Sequence, residues 1–187
     1  MNMEAVPVVV LDANVLYGAT LRNLILYLAD VSLFQPKWSA LIQEEWLRNL
    51  LKNRSDLSPK HLARTQRQMD NAFPNANTVG FETLIPQLNL PDPDDHHVLA
   101  LAIHTGAKFI LTSNRKDFPK RVLDPLGIDV LTPNQFLKFL QEQSPETVQY
   151  AFEETHRSMI RPAITKKRLV EMLVKAGLTV APEIFEV

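Results

Sequence analysis

The sequence predicts an α/β fold, a three-layer sandwich with a parallel central sheet, followed by a small C-terminal helical extension. The β-branched run at residues 6–11 is typical of a strand buried on both faces of a parallel sheet. Two more short apolar runs, at residues 108–112 and 128–133, are each separated from the preceding strand by helical sequence. Strands that alternate with helices imply right-handed crossovers, which cover both faces of the sheet.

The first elements follow this alternation. Residues 15–29 are predicted to be helical, and residues 33–38 to form a weaker strand near a sheet edge, because Pro36 removes a hydrogen-bond donor. Ser39 is a good N-cap for a helix over residues 40–53, since its hydroxyl can accept from an unpaired backbone N–H. A strand, a helix, a second strand and a second helix are therefore expected in this order.

Proline residues mark the starts of the next helices. The pair Ser58-Pro59 predicts a helix that runs to about residue 71, followed by a loop rich in turn residues at 74–80. Another helix is expected to begin near Pro93, before the third strand, and a further helix follows the fourth strand.

A new helix start marks the C-terminal extension. At Ser144-Pro145-Glu146 we place a boundary between a domain of residues 1–143 and an extension of residues 144–187. Two helices are expected in the extension, at roughly 145–160 and 165–176. These helices need a surface to pack on, and the sequence leaves open whether it belongs to this domain, a second copy or a partner protein.

The composition excludes several kinds of site. The chain of 187 residues contains no cysteine, so disulfides, thiolate zinc sites and cysteine nucleophiles are excluded, and any metal must be held by oxygen or imidazole. The formal net charge of −1 decides nothing about nucleic-acid binding, since local basic patches can still serve it. No apolar run approaches the roughly 20 residues that span a bilayer, and the residues around Glu4 and Pro7 lack the layout of a secretory signal. We therefore expect a cytoplasmic protein.

Two acidic residues stand where a ligand could bind. Asp12 follows the first strand, and ligands of parallel α/β sheets bind at the carboxyl ends of the strands, although capping the next helix is an alternative role. In LPDPDDHHVLALA, Asp92 and Pro93 start a helix, and Asp95 projects toward its buried face. A carboxylate aimed inward must meet a cation, a metal ion or a set of donors.

Two further segments add polar groups to the same region. After the third strand, KFILTSNRKDF offers Ser113, Asn114 and Asp117, for which a simple turn is the alternative. The helix SALIQEEWLRNLL supplies Glu44 and Glu45, which periodicity barely separates. Several carboxylates in one pocket repel one another unless some are protonated or a divalent cation lies among them. Hard oxygen ligands without thiolate favour Mg²⁺ or Mn²⁺.

These segments together resemble a known family. VLDANVL, the Ser39-x5-Glu45 helix, DHHVLALA from Asp95 and TSNRKDF from Thr112 are similar, in order and spacing, to the four acidic motifs of the PIN-domain nucleases. The resemblance is closest to the VapC-like toxins of bacterial type II toxin-antitoxin systems, and it covers roughly residues 6–140. A C-terminal helical extension occurs in a minority of that family.

The resemblance implies a function and a set of site residues. It makes Asp12, Glu45, Asp95 and Asp117 the catalytic, metal-holding quartet, and the choice of Glu45 over Glu44 rests on the resemblance alone. Asn14, Ser113 and Asn114 are expected as supporting polar groups. The implied activity is a Mg²⁺- or Mn²⁺-dependent endoribonuclease that leaves a 5′-phosphate. The implied partners are an RNA substrate, a second copy in a homodimer and an antitoxin that inserts into the site.

An acidic pocket repels RNA, so basic residues are expected to line its approach. For each basic residue alone, a solvated surface role is the alternative. The five on the extension form the densest group, and we expect them to clamp a structured RNA. The candidates are Arg48, Arg115, Lys116, Arg157, Arg161, Lys166, Lys167 and Arg168.

Other interpretations are weaker. Phosphatases that form an aspartyl-phosphate need a second Asp two residues after the first, and Asn14 stands there. A PIN-fold module that binds RNA or protein without catalysis is the alternative outside enzymes, but such a module has no reason to retain four repelling carboxylates. His96 and His97 suggest zinc, yet adjacent helical residues point about 100° apart, so surface or supporting roles are favoured.

Overall fold

The structure is a computed structural model that describes residues 6–187. The expectations about residues 1–5, including the lack of a secretory signal around Glu4, lie outside the described residues. None of the helices in the described range combines the length and the apolar character needed to cross a membrane.

A four-stranded parallel sheet forms the centre of the molecule, with the strand order β2-β1-β3-β4. The strands are β1 (Val8–Leu11), β2 (Gln35–Lys37), β3 (Phe109–Leu111) and β4 (Asp129–Leu131). β1 and β3 lie in the middle of the sheet, and their apolar side chains are buried except for Val8, which is partly buried. The strand order confirms the prediction that the second strand lies at an edge. An edge strand tolerates the missing hydrogen-bond donor at Pro36.

Helices pack around this sheet and confirm the predicted α/β sandwich with C-terminal helices. α5 packs against β1 and β3, α2 against β2, and α7 against β4. The helices are α1 (Ala13–Tyr17), α2 (Ala19–Asp30), α3 (Ala40–Asn53), α4 (Pro59–Ala72), α5 (His96–Thr105), α6 (Lys120–Leu123), α7 (Pro133–Gln143), α8 (Pro145–Ser158), α9 (Lys166–Lys175) and α10 (Ala181–Ile184). Short 3-10 turns lie at Glu82–Gln87, Pro93–Asp95, Arg115–Asp117 and Asp124–Leu126.

Two predicted helices differ from the observed ones. The helix expected at 15–29 begins two residues earlier, because the Asp12 side chain caps it, and it breaks at Gly18, whose backbone is extended. The helix expected from Pro93 starts as a 3-10 turn and becomes α-helical only at His96. Asp95 therefore ends a tight turn, where it is half-buried, and does not lie inside a regular helix.

The C-terminal helices pack on this same chain. α8 lies against α2 and α7, and α9 lies against α2 and α10. The rings of Phe152 and Phe185 stack with centroids 4.2 Å apart, and Val148 and Leu169 are fully buried beside the rest of the core. The helices thus find their packing surface within the chain, while the division into residues 1–143 and 144–187 stays a prediction.

Candidate metal centre

The carboxyl ends of the two central strands place Asp12 and Thr112 side by side. Leu11 and Leu111 are partners in the parallel register, so the residues that follow them leave the sheet at the same edge. The Asp12 N–H donates to the Leu111 carbonyl at 3.1 Å, which extends the pairing by one residue. Both side chains are almost completely buried, with 3% of Asp12 and 0% of Thr112 exposed.

The Asp12 carboxylate has three donors. Oδ1 accepts from the Ala13 N–H at 2.7 Å and caps α1, so the capping role considered from the sequence is real. Oδ2 accepts from Thr112 Oγ1 at 2.7 Å and from Asn14 Nδ2 at 2.5 Å. Burial raises the pKa of Asp12, and the Thr112 hydrogen bond opposes that rise. Asp12 therefore caps a helix and also fixes a carboxylate at the sheet edge.

The predicted supporting residues form one hydrogen-bonded network around Thr112. Asn14 Nδ2 donates to Thr112 Oγ1 at 2.9 Å, and the Ser113 N–H donates to Asn14 Oδ1 at 2.9 Å. The Asn114 N–H donates to Thr112 Oγ1 at 3.0 Å, and its side-chain amide donates to Asp117. The network ties the end of β1 to the loop after β3.

Three aspartates converge beside this network. One carboxylate oxygen from each of Asp92, Asp95 and Asp117 lies within 4.8 Å of the other two. The pKa of Asp95 is raised to about 7, first by burial and then by the negative charges of Asp12, Asp117, Asp92 and Glu45. Asp12 and Glu45 are outside the 4.8 Å group, but they are close enough to disfavour the charge on Asp95.

The structure distinguishes the two glutamates of α3. Glu44 is exposed, whereas the Glu45 side chain is 34% exposed and its Oε2 lies 3.4 Å from Nε2 of His97. The charge of Glu45 raises the pKa of both Asp12 and Asp95. Ser39 caps this helix, as predicted, by accepting from the Ile42 N–H at 3.3 Å. Of the two glutamates, Glu45 is the one that faces the aspartates.

The donor set suits a hard divalent cation. Among residues 6–187, the ion pairs include none between these acidic residues and a lysine or an arginine, and Glu45 pairs only with His97. Clustered carboxylates without a cationic neighbour repel one another, and this repulsion adds to the effect of burial in raising the pKa of Asp95. Carboxylate oxygens without thiolate are the ligands that Mg²⁺ and Mn²⁺ prefer, so the residues fit either ion.

Sequence reasoning misses two members of this region. From the pattern, Asp92 is expected only to cap, and it does accept from the Asp94 N–H at 2.9 Å, but it also lies within the aspartate group. Its spacing of three residues from Asp95 is the available signal, because a 3-10 turn brings positions i and i+3 together. Thr112 is expected only to end a strand. A buried hydroxyl that needs a partner is the signal there.

The two histidines have different partners, as their angular separation predicts. His96 Nε2 accepts from the Leu90 N–H at 3.1 Å and ties the preceding loop to α5. His97 lies against Glu45 instead. Within the described part of the chain, the group of possible metal ligands contains neither histidine.

The predicted RNA-binding residues divide into two sets. Arg48 is exposed on α3, one turn after Glu45, and Arg115 and Lys116 are exposed in the turn that carries Asp117. On the extension, three of the five basic residues are paired with nearby glutamates. These pairs are Arg157–Glu154, Lys166–Glu153 and Arg168–Glu171. Arg161 and Lys167 are exposed and form no ion pair with the described residues.

Comparisons with known proteins agree with the resemblance of the motifs. A protein of Mycobacterium tuberculosis named "Putative ribonuclease VapC50" is 39% identical over 67 residues, which cover 36% of this chain and 39% of the relative. The match therefore spans about two fifths of that relative's length. No solved structure matches the chain. Residues 8–116, more than half of the chain, match the family described as PIN domain. The chain, with its acidic residues gathered at the carboxyl edge of a parallel sheet, belongs to the PIN domain family.

Proposed function

We propose that this protein is a Mg²⁺- or Mn²⁺-dependent endoribonuclease that hydrolyses RNA phosphodiester bonds as the toxin of a type II toxin-antitoxin system. The observation that carries the proposal is the carboxylate cluster at the sheet edge, which forms no ion pair with lysine or arginine within residues 6–187. Membership of a family that includes nucleases supports it, as does similarity to a protein named as a ribonuclease.

The acidic quartet would hold the ion. Asp12, Glu45, Asp95 and Asp117 are the proposed ligands, and Asp92 lies close enough to join them. A bound Mg²⁺ or Mn²⁺ would supply a water of lowered pKa and neutralise charge on the phosphoryl oxygens.

The chain's own polar groups prepare this site. Thr112 and Asn14 donate to Oδ2 of Asp12 and hold its carboxylate in one orientation. The Asn114 amide does the same for Asp117. Because these donors lie in the segments that directly follow the two central strands, Asp12 and Asp117 would be held in place before an ion binds.

The substrate and partners follow from the same proposal. Arg48, Arg115 and Lys116 are exposed beside the acidic residues and would contact RNA phosphates on either side of the cleaved bond. A cognate antitoxin would silence the site, and a second copy of the chain would form a homodimer. The proposed location is the cytoplasm, where RNA and such an antitoxin would be met.

The test is cleavage of total RNA by the purified protein, with Mn²⁺ or with a chelator, beside the Asp12→Asn variant. Asn can still cap α1 but carries no charge, so specific fragments are expected only from the wild type with Mn²⁺. Asp94→Asn is the matched control, because Asp94 is exposed and outside the aspartate group. Equal cleavage by Asp12→Asn contradicts the proposal, and RNA binding without cleavage in Mn²⁺ identifies a non-catalytic module.

A further inference from the structure

We propose that His97 is a positioning residue that holds the Glu45 side chain toward the aspartate group and so sets the protein's affinity for a divalent ion. This inference rests on the proposed function, because it assigns Glu45 to the metal-holding quartet. It concerns a contact between two helices, α5 and α3.

The first support is that Glu45 has one described polar partner. Its Oε2 lies 3.4 Å from His97 Nε2, and within residues 6–187 it forms no ion pair with lysine or arginine. Asp12 and Asp117, in contrast, are held by donors from Thr112, Asn14 and Asn114. Glutamate has a longer side chain with more rotamers than aspartate, so without His97 it would sample orientations that point away from the cluster.

The second support is the burial of the imidazole. The His97 side chain is 13% exposed, and its Nδ1 is buried without a hydrogen-bond partner among the described residues. Val98 and Leu99, the next residues of α5, are fully buried apolar side chains. A position used for packing alone would be filled better by such an apolar residue, because an unpaired buried nitrogen is unfavourable. The other ring nitrogen, Nε2, faces Glu45 Oε2 at 3.4 Å.

The third support is the direction from which the ring approaches the site. His97 stands two residues after Asp95 at the start of α5 and contacts Glu45 of α3, so the imidazole connects two segments that carry proposed ligands. With its proton on Nε2, a neutral imidazole directs that N–H toward Glu45, and the N···O separation of 3.4 Å is a close polar contact that is longer than a usual hydrogen bond. His97 thus connects, through this contact, two helices that adjoin or carry proposed ligands.

The experiment is a double-mutant cycle on Mn²⁺ affinity, measured by isothermal titration of the metal-free protein. His97→Leu is expected to weaken Mn²⁺ binding on the order of ten-fold, as is common when a donor behind a metal ligand is removed. The same substitution made in a Glu45→Gln background is expected to have no further effect, because the residue it positions is already gone. His97→Gln, which keeps a donor, is expected to recover most of the affinity.

His104→Leu is the matched control, since His104 is an exposed histidine on the same helix, and its Mn²⁺ affinity should equal that of the wild type. An equal loss for His97→Leu in both backgrounds, or no loss in either, overturns the inference. Thermal unfolding of each variant checks that the comparison is made between folded proteins.

The inference and the proposed function fail in different ways. Strong coupling between His97 and Glu45 in Mn²⁺ binding, with no cleavage of RNA, supports the positioning role and contradicts the nuclease. Metal-dependent cleavage with no coupling between these two residues supports the nuclease and contradicts the positioning role.

Discussion

Acidic side chains have different neighbours at the carboxyl edge of the sheet and on the C-terminal helices. On the helices, Glu153, Glu154 and Glu171 each pair with a basic residue nearby. At the sheet edge, carboxylate oxygens of Asp95 and Asp117 lie within 4.8 Å of each other, and neither residue pairs with a lysine or an arginine of the described residues. Three glutamates of the extension are thus balanced by basic residues of the same region, whereas the proposed function assigns the balancing charge at the edge to a divalent cation.

The two regions also differ in what they contribute to the folded state. The extension adds apolar surface to the core, with Phe152 and Leu173 fully buried. The edge adds repulsion, because the pKa of Asp95 is raised to about 7 by burial and by neighbouring carboxylates. Stability and activity should therefore respond to different substitutions.

The largest expected effect on stability comes from the extension. Phe152→Ala should lower the free energy of unfolding by about 3–5 kcal/mol, because it leaves a cavity beside Phe185. Chemical denaturation followed by circular dichroism measures this loss. Tyr150→Ala, at a position that is 54% exposed on the same helix, should change it by about 0.5 kcal/mol or less. A Phe152→Ala protein as stable as the wild type would mean that these helices are not part of the core.

The next largest effect separates the two glutamates of α3. Glu45→Gln should reduce Mn²⁺-dependent RNA cleavage on the order of a hundred-fold, the size of effect seen when one electrostatic group of an active site is removed. Glu44→Gln should retain wild-type cleavage, because Glu44 is exposed and Glu45 faces the aspartates. The comparison is made from initial cleavage rates on one RNA. A larger loss of rate in Glu44→Gln than in Glu45→Gln would identify Glu44 as the second acid of the quartet.

Much of the fold could be predicted from local sequence. Pro36 indicates an edge strand and Ser39 an N-cap, because both signals act through one residue's own backbone or hydroxyl. Gly177 follows the cap of α9 with φ +94°, as the predicted helix end requires. Such features depend on neighbours in the chain, so a single sequence is sufficient to find them.

The site could be predicted less completely, because its contacts join distant segments. Thr112 donates to Asp12 across a separation of 100 residues, and the Ser113 N–H donates to Asn14 across a separation of 99 residues. Asp92 joins the cluster through a 3-10 turn, where the sequence pattern indicates a regular helix. Periodicity predicts which face a residue lies on, but it does not identify the partner on another element.

A smaller effect is expected from the pH dependence of stability. The pKa of Asp95 is about 7 in the folded metal-free protein and near 3.8 when unfolded, so the folded state holds the proton more tightly. Stability should therefore fall as pH rises from about 4 to about 7. Asp95→Asn removes this penalty and should be more stable than the wild type at pH 8 by about 1–2 kcal/mol, allowing for the exposure of the group.

The two proteins should converge near pH 4, where Asp95 is protonated in the folded state. Urea denaturation with a chelator at both pH values measures the difference in the free energy of unfolding between the two proteins. At pH 8, Mn²⁺ should reduce this difference by stabilising only the wild type. Asp94→Asn is the control, and a pH 8 advantage of equal size in that variant would assign the effect to general surface charge.

The smallest expected effect concerns the basic residues of the extension, which the sequence alone suggests as an RNA clamp. Ion pairs with glutamates already involve three of these residues, Arg157, Lys166 and Arg168. Replacing each of them with Gln should change the RNA affinity less than about two-fold, because a paired cation releases few counterions when it binds a phosphate. Arg161 and Lys167 are exposed and form no ion pair in the described range. In the double variant Arg161→Gln, Lys167→Gln, the plot of log RNA affinity against log salt concentration should become less steep. The slope should change by about one unit for each phosphate that the protein no longer neutralises. Fluorescence anisotropy of labelled RNA measures the affinity and its salt dependence at several salt concentrations. All variants are made in the Asp12→Asn background, in which no cleavage is expected. A larger loss of affinity from the three paired residues than from the two unpaired ones would show that the ion pairs open to bind RNA. The contrast between the two regions would then hold only for the protein without bound RNA.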